Sequence, residues 1–407
     1  MKALVLAGGF PQIALIKELK SRGIETLLAD WGSNPVAKEY ADKFYQVSTL
    51  DVEAIKSMAI NENVDFLITA CTDQALLTVA KVSEELKLPC YIDYKTALNV
   101  TNKAYMKKVF IKNDISTAKY VIMGKLDLKQ LKELPFPLIV KPVDCNSSKG
   151  VKKVENIEEL ELAFAEAVSF SRTKTAIIEQ YIDGPEISVD VYVENGKAHV
   201  LCISNNDKIS DKDKFIIFRG RCPARETEKI REQIETIAQQ IADAFNLKNS
   251  PMLIQLITDG EKAYVLEFSA RTGGGTKFLR IKTLTEFDVI KAVVDLTLGQ
   301  VPHVEEIKNK IFLADEFIYC NNGIFDHLEG FDELKANGTI RDYYLFKNKG
   351  AVLGGVNSSG DRIAGFTIVA ETLENLIEKH NKVAGRIKVI DSVGQDIMRH
   401  DLLSNLY

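Results

Sequence analysis

The sequence predicts a mixed α/β and α+β protein that opens with a doubly wound parallel domain. Three observations carry this. Short apolar runs alternate with helix-period segments over about the first 95 residues, the pattern of parallel strands joined by crossover helices. From "STAKYVIM" onward, beginning at Ser116, short strands dominate and are separated by "DCNSSKG" and "DGP". The last hundred or so residues again mix strands ("IFLADEFIYC", "RIAGFTIVA") with a helix, as an α+β extension does.

The first domain is read element by element. "KALVLAGG" is a fully apolar run that ends in glycines, and "PQIALIKELKSRG" is helical in period and closed by Gly23. "IETLLAD" and "VDFLITACTD" are further strands, and "QALLTVAKVSEELKL" is the helix after the last of them. The loops that follow the strands carry Gly8, Gly9, Asp30, Thr72 and Asp73, on the edge where such sheets bind ligands. Gly8-Gly9 and Asp30 suggest a dinucleotide fingerprint, but "GGFPQI" lacks its second and third glycines. A tight strand-to-helix turn is the better reading.

"TNKAYMKKVFIKND" reads as a helix with Thr101 as N-cap and a basic face at Lys103 and Lys107. For Lys107 and Lys108 a solvated face is expected. "KIREQIETIAQQIADAFNL" is an amphipathic helix. It precedes "PMLIQLITDGEKAYVLEFSA", a hairpin turning at Asp259-Gly260, and the helix "EFDVIKAVVDLTLG" ends at Gly299.

Composition bounds the function. The 407 residues are 46% hydrophobic and 27% charged with a net charge of −5, an ordinary globular mix that argues against a general nucleic-acid binder. Six scattered cysteines form no C-x-x-C pair and five histidines no H-x-x-x-H, against a zinc site or a disulfide framework. Reduced thiols in the cytoplasm fit this usage. No apolar stretch approaches the roughly 20 residues that span a bilayer, so no membrane partner is expected.

Several residues carry chemistry. Lys141 lies amid the apolar "LIVKPV", where an ammonium needs an anionic partner such as a phosphate. "DCNSSKGV" can form a backbone anion nest, with Ser147, Ser148 and Lys149 adding donors. Cys145 has no nearby histidine to activate it and reads as a small loop residue. Gln255 and Glu267 lie on the two strands about Asp259-Gly260, so their side chains can converge. The stretch "LEFSARTGGGTK" then places Glu267, Arg271 and three glycines together, where a cation, an anion and bare backbone meet. An edge-strand carboxylate paired with Arg271 and a flexible turn are the plainer readings. "FRGRCPAR" supplies Arg219, Arg221 and Arg225 as strand-edge cations, for an anionic substrate or for solvent.

In this order the pieces resemble the ATP-grasp superfamily, in particular the carbamoyl phosphate synthetase large subunit and the amino-acid ligases. The resemblance runs over nearly the whole chain. It implies an N-terminal α/β domain (1–100), a lid with its lead-in helix (101–185), a catalytic lobe (186–305) and a C-terminal α+β extension (306–407). It places Lys103 and Lys141 on nucleotide phosphates and "DCNSSKG" at the phosphate-covering loop, although only Gly150 remains of a usual glycine-rich run. Residues Glu179, Gln180, Tyr181 and Ile182 become the adenine hinge, read through the backbone of Gln180 and Ile182, and Glu186 holds the ribose. Gln255, Glu267 and Ser269 become metal ligands, Ser269 standing where an asparagine is common. Arg271 takes the charge of an acyl phosphate, and Gly273, Gly274 and Gly275 approach the second substrate.

The activity so implied is an ATP-dependent carboxylate–amine or carboxylate–thiol ligase that releases ADP and phosphate. Its partners are ATP, a small carboxylate and an amine or amino-acid acceptor; magnesium is the metal, with manganese the alternative, and a homodimer is allowed. A non-catalytic nucleotide-binding module and a purine-pathway or biotin-type carboxylase are the alternatives. The biotin type is disfavoured because Thr272 and glycines follow Arg271 in place of Q-V-E-H.

Overall fold

A computed structural model describes residues 1–145, 150–209, 215–225, 227–305, 310–403 and 406. The chain opens with β1 (Lys2–Leu6), α1 (Phe10–Ser21), β2 (Glu25–Asp30), β3 (Lys43–Gln46), α2 (Val52–Asn61), β4 (Phe66–Ile68), α3 (Asp73–Leu86) and α4 (Tyr94–Asn99). Four strands form a parallel sheet in the order β3-β2-β1-β4. Strand β3 is not evident in the sequence, because the half-exposed "KFYQ" presents no apolar run. Glycine at position 8 is required by packing: a methyl there would overlap Pro35, and the Gly8 N–H donates to Asp30 at 2.7 Å. Asp30 also accepts from the Gly32 N–H at 2.7 Å, so it braces this strand-to-helix turn.

Next come α5 (Lys103–Lys112), β5 (Tyr120–Met123), β6 (Leu138–Pro142), β7 (Lys152–Val154), α6 (Ile157–Phe170) and β8 (Ala176–Gln180). The strands form a small antiparallel sheet, β5-β8-β6-β7, with α6 on one face through Leu160, Ala163, Phe164 and Ala167. The α5 N-cap is Asn102, not Thr101. The Asn102 side chain accepts from the Tyr105 N–H at 2.9 Å, whereas the Thr101 hydroxyl donates back to Ala97 at 3.0 Å. Helix α5 buries Met106 and Phe110 in the core of the larger lobe, with Phe110 against Phe245 and Phe268.

That lobe starts with β9 (Glu186–Glu194), β10 (Lys197–Lys208), β11 (Ile217–Cys222), α7 (Thr227–Ala244), β12 (Ser250–Thr258), β13 (Ala263–Ser269), α8 (Lys277–Thr285) and α9 (Val289–Thr297). Asn195 and Gly196, at φ 51° and 85°, close the β9–β10 hairpin in the left-handed conformation such tight turns demand. Helices α8 and α9 bury Phe278, Ile281, Val289 and Val293 against Leu15, Ile16 and Leu19 of α1, which joins the first domain to this lobe.

The chain then runs through β14 (Phe312–Ile318), β15 (Gly323–Glu329), α10 (Phe331–Ala336), β16 (Asp342–Leu345), β17 (Val352–Leu353), β18 (Ala364–Ala370), α11 (Leu373–Val383) and β19 (Lys388–Asp391). Strands β14, β18 and β16 extend the lobe's own sheet, giving an eight-stranded antiparallel order β13-β12-β9-β10-β11-β14-β18-β16. A small sheet, β17-β15-β19, lies beside it. Strand β11 is therefore interior, and its arginines are not strand-edge cations. Arg219, 2% exposed, pairs with Glu316 across the β11–β14 ladder and with Asp207 at 3.6 Å. Arg221 donates to Asp207 at 2.6 Å. Arg225 is exposed. No helix among the described residues is long and apolar enough to cross a membrane.

Candidate active site

A cavity of about 810 Å³ opens between the small sheet, the large sheet and the C-terminal edge of the first domain. Of the site residues read from sequence, Ser147, Ser148 and Lys149 lie outside the described residues. Of the rest, those assigned to nucleotide, metal, acyl phosphate or second substrate line this one cavity, except Gly273 and Gly275, and Arg219, Arg221 and Arg225 do not line it.

At its inner wall, β8 and β6 set Glu179 beside Lys141, with ladder partners Ile139↔Glu179 and Lys141↔Ile177. The Glu179 carboxylate, 2% exposed, accepts from Lys141 and from Lys107 at 2.7 Å each. Lys107 is thus not a solvated residue: it is 1% exposed, points inward from α5 and also donates to Thr117. Burial alone would raise the Glu179 carboxyl, but the two ammonium groups outweigh it and hold the group down at about 2. Burial pushes Lys107 down to about 8, with Glu179 opposing. Two cations on one carboxylate leave a local positive excess at the cavity wall. The chain leaves β8 past Gln180 and Tyr181, whose N–H groups already donate to Lys119 and Pro137 at 2.9 and 3.2 Å. The next N–H, that of Ile182, has no backbone partner among the described residues, and Ile182 lines the cavity.

Across the cavity, the β12–β13 register sets Gln255 opposite Glu267. Glu267 pairs with Lys103 at 2.7 Å, and Lys103 also donates to the Cys145 carbonyl at 2.8 Å. Burial would raise the Glu267 carboxyl, yet Lys103 holds it below its usual range. Gln255 donates to Glu186 at 3.1 Å, and Glu186 also accepts from Asn206 at 3.1 Å and pairs with Lys208. Ser269, two residues beyond Glu267 on the same face of β13, hydrogen-bonds Asp73.

Asp73 is the partner of Arg271, so the alternative reading of Glu267 as a carboxylate paired with Arg271 does not hold. The Arg271 guanidinium grips Asp73 bidentately, its Nε at 2.7 Å and its Nη2 closer, and its Nη1 donates to the Thr272 carbonyl at 2.8 Å. Burial would raise Asp73, but Arg271 draws it below the usual carboxylate range. The sequence had placed Asp73 on the ligand-binding edge; its distant partner carried no local signal.

The glycines that follow each do something different. Gly274 lines the cavity. Gly275 has φ 70°, and a methyl there would press the Phe317 ring at 3.0 Å. A methyl on Gly273 would overlap the Lys277 side chain. Lys277, Arg280, Phe317 and Arg362 all line the cavity and were given no role by the sequence. Arg362 stacks on Phe317, 3.7 Å from its ring centre, and donates to the Tyr319 hydroxyl and the Ile217 carbonyl at 3.0 Å each. No motif marks Lys277, and no local pattern ties Arg280, Phe317 or Arg362 to the glycine run.

Comparison with known proteins follows this geometry. Residues 134–278, spanning Lys141 to Lys277, match the ATP-grasp domain family. Residues 316–391, which hold Phe317 and Arg362, match the L-amino acid ligase C-terminal domain 2 family. Over 328 residues the chain is 30% identical to a formate-dependent phosphoribosylglycinamide formyltransferase from Sulfurisphaera tokodaii, covering 77% of this chain and 81% of that protein. The chain belongs to the ATP-grasp family. A phosphoribosylamine–glycine ligase from Lactococcus lactis is 25% identical over 77% of this ATP-grasp chain and 79% of its own length. Among solved ATP-grasp structures, an L-amino acid ligase from Bacillus licheniformis superposes with a TM-score of 0.79 at 21% identity, covering 96% of this chain and 99% of that one. A biotin carboxylase domain from Hydrogenobacter thermophilus gives 0.80 at 17% identity, over 99% and 92% of the two chains.

Proposed function

We propose that this ATP-grasp chain is an ADP-forming carboxylate–amine ligase that works through an acyl phosphate, with residues 101–185 as its lid, 186–305 as its catalytic lobe and an amino acid among its substrates. The observation that carries this reading is the gathering of Lys141, Lys103, Glu267 and Arg271 on one cavity. A nucleotide would enter with adenine at the free Ile182 N–H and its ribose at Glu186. Lys141, already neutralised in part by Glu179, has the positive excess to receive phosphate oxygens. Lys103 would trade some of its contact with Glu267 for phosphate.

The residues present fit magnesium as a shared ion. Among the described residues no group of three His, Cys, Asp or Glu could hold a metal alone. One carboxylate (Glu267) with the oxygens of Gln255 and Ser269 is the sparse hard donor set that suits magnesium held jointly with nucleotide phosphates. There it would supply charge neutralisation between carboxylate and phosphate.

Attack of a substrate carboxylate on the γ-phosphate brings anions together, and Arg271 can neutralise the charge that develops. Asp73 fixes its plane, so little reorganisation is needed. Arg362, over the Phe317 ring and beside Gly275, is placed to hold a substrate carboxylate, which favours an amino acid. The matched L-amino acid ligase domain supports the same choice. Six free cysteines fit a reducing, cytoplasmic setting.

The test is ADP release with ATP and magnesium across pairs of amino acids and other small acids and amines. Release that needs both a carboxylate and an amine, with the amide found by mass spectrometry, is the expected result. Release driven by bicarbonate alone would overturn the ligase reading in favour of a carboxylase.

A further inference from the structure

Three of the four described cavity lysines face a carboxylate: Lys103 meets Glu267, Lys141 meets Glu179 and Lys208 meets Glu186. Lys277 does not. Its ammonium donates to the Ser188 hydroxyl on β9, and among the described residues it is hydrogen-bonded to no carboxylate. It stands at the start of α8, separated from the glycine run by Thr276 alone, with Gly273 packed on its stem and Gly274 opening the same cavity. Arg271 stands at the other end of that run. The run therefore lies between a fixed guanidinium and a lysine whose partner is a neutral hydroxyl.

We infer that Lys277 is the base that takes a proton from the incoming ammonium of the acceptor, which lets the amine attack the acyl phosphate. This inference rests on the ligase reading above. A primary amine reaches a neutral solution as its ammonium, which has no lone pair to attack with. Neutral Lys277 takes one proton and becomes an ammonium. The freed amine forms the C–N bond, the carbon–oxygen bond to phosphate breaks, and the phosphate leaves with that bond's electron pair. The second nitrogen proton goes to the departing phosphate, and Lys277 returns its own to solvent through the open cavity.

The surroundings suit the task. Burial pushes Lys277 down to about 8, with Asp190 and, more weakly, Glu186 on β9 opposing, and with Arg280 on its own helix and Arg271 reinforcing. A useful fraction is then neutral near pH 7 to 8, as general-base catalysis requires. Asp190, 1% exposed with neither carboxylate oxygen hydrogen-bonded among the described residues, lies beneath Gly273 and can stabilise the Lys277 ammonium once it forms.

Hydroxylamine supplies the test, because it is neutral at pH 7 and attacks acyl phosphates without a base. Wild-type protein, Lys277→Met and Lys277→Arg are compared for hydroxamate formation and for amide formation with an amine acceptor. Both variants should lose amide formation by about 10²–10⁴-fold relative to hydroxamate formation. Hydroxamate from the same sample reports that the variant is folded and still makes the acyl phosphate. If the two products fall together, or amide formation persists in Lys277→Met, the base assignment is overturned. It is also overturned if Lys277→Arg keeps full amide formation, since the lysine would then act as a plain cation. Wild-type protein giving no hydroxamate with any acid would remove the ligase reading itself, a different failure from the other three.

Discussion

Asp73 and Arg271 show how much one residue's meaning depends on its partner. Loss of a preorganised cation from the reacting centre costs on the order of 10²–10³ in rate. Arg271→Ala should therefore cut carboxylate-dependent ADP release by about that factor while ATP affinity, measured by calorimetry, changes little. The structure adds a second effect: the mutation strands a buried carboxylate, so the melting temperature should fall as well. Adding Asp73→Asn should recover part of the stability and none of the turnover. Glu179 sets an acid limit. Its carboxyl sits at about 2 against an ordinary 4.5, and one unit is worth about 1.4 kcal/mol, so the contribution is on the order of 3 kcal/mol. A depressed carboxyl stabilises the fold above its unfolded value and loses that contribution as pH falls from 4.5 through 2. Urea unfolding of the wild type should weaken across that window, whereas Glu179→Gln should be less stable but flatter there. Lys107, also held below its ordinary value, gives the same sign at high pH: stability rises as pH goes from about 8 to 10.5. Sequence made Lys141 visible by its odd company of apolar neighbours, and Glu179 only through the family resemblance, as the first residue of the hinge. It hid Lys107, because a lysine one turn from Lys103 looks like one more member of a wet face.

At the scale of elements, the β12–β13 hairpin was legible and its consequence is direct. The Asp259-Gly260 turn sets the register as far as Leu256–Val265, and a bulge that leaves Leu266 unpaired shifts it by one, which places Gln255 opposite Glu267. Glu267→Gln removes the only carboxylate of that trio, so the magnesium concentration for half-maximal ADP release should rise, with the fold retained by circular dichroism. A titration indistinguishable from wild type would remove Glu267 from the metal site. The turn from β13 to α8 makes a different demand. Gly275 is at φ 70° against Phe317, so Gly275→Ala should cost about 1–2 kcal/mol in backbone strain. It should also disturb the ring on which Arg362 lies, raising the KM for the carboxylate more than that for ATP. The glycine run was plain in the sequence. What it packs against was not, since Phe317 and Arg362 arrive from segments with no local pattern linking them to it.

The parallel first domain was readable because strand–helix alternation is written in neighbouring residues. The eight-stranded sheet was not, because β11 and β14 meet through partners such as Arg219 and Glu316, 97 positions apart. The sequence presents residues 306–407 as an added lobe, while β14, β18 and β16 continue the catalytic sheet. A chain cut after residue 305 should expose the β11 edge, strip buried Arg219 of its Glu316 partner and collect in the insoluble fraction; a soluble fragment that still bound ATP would contradict this. The same continuity governs how this architecture can be recombined. A graft that exchanges the C-terminal segment with a relative, to import its acid preference, has no seam at 305/306. The crossover must carry β11 and α8 along with β14, because the buried charges Arg219–Glu316 and Arg280–Asp315 straddle the junction. Acid selectivity and the catalytic sheet are thus inherited as a single block, and hybrids that respect the apparent boundary would be the ones to fail.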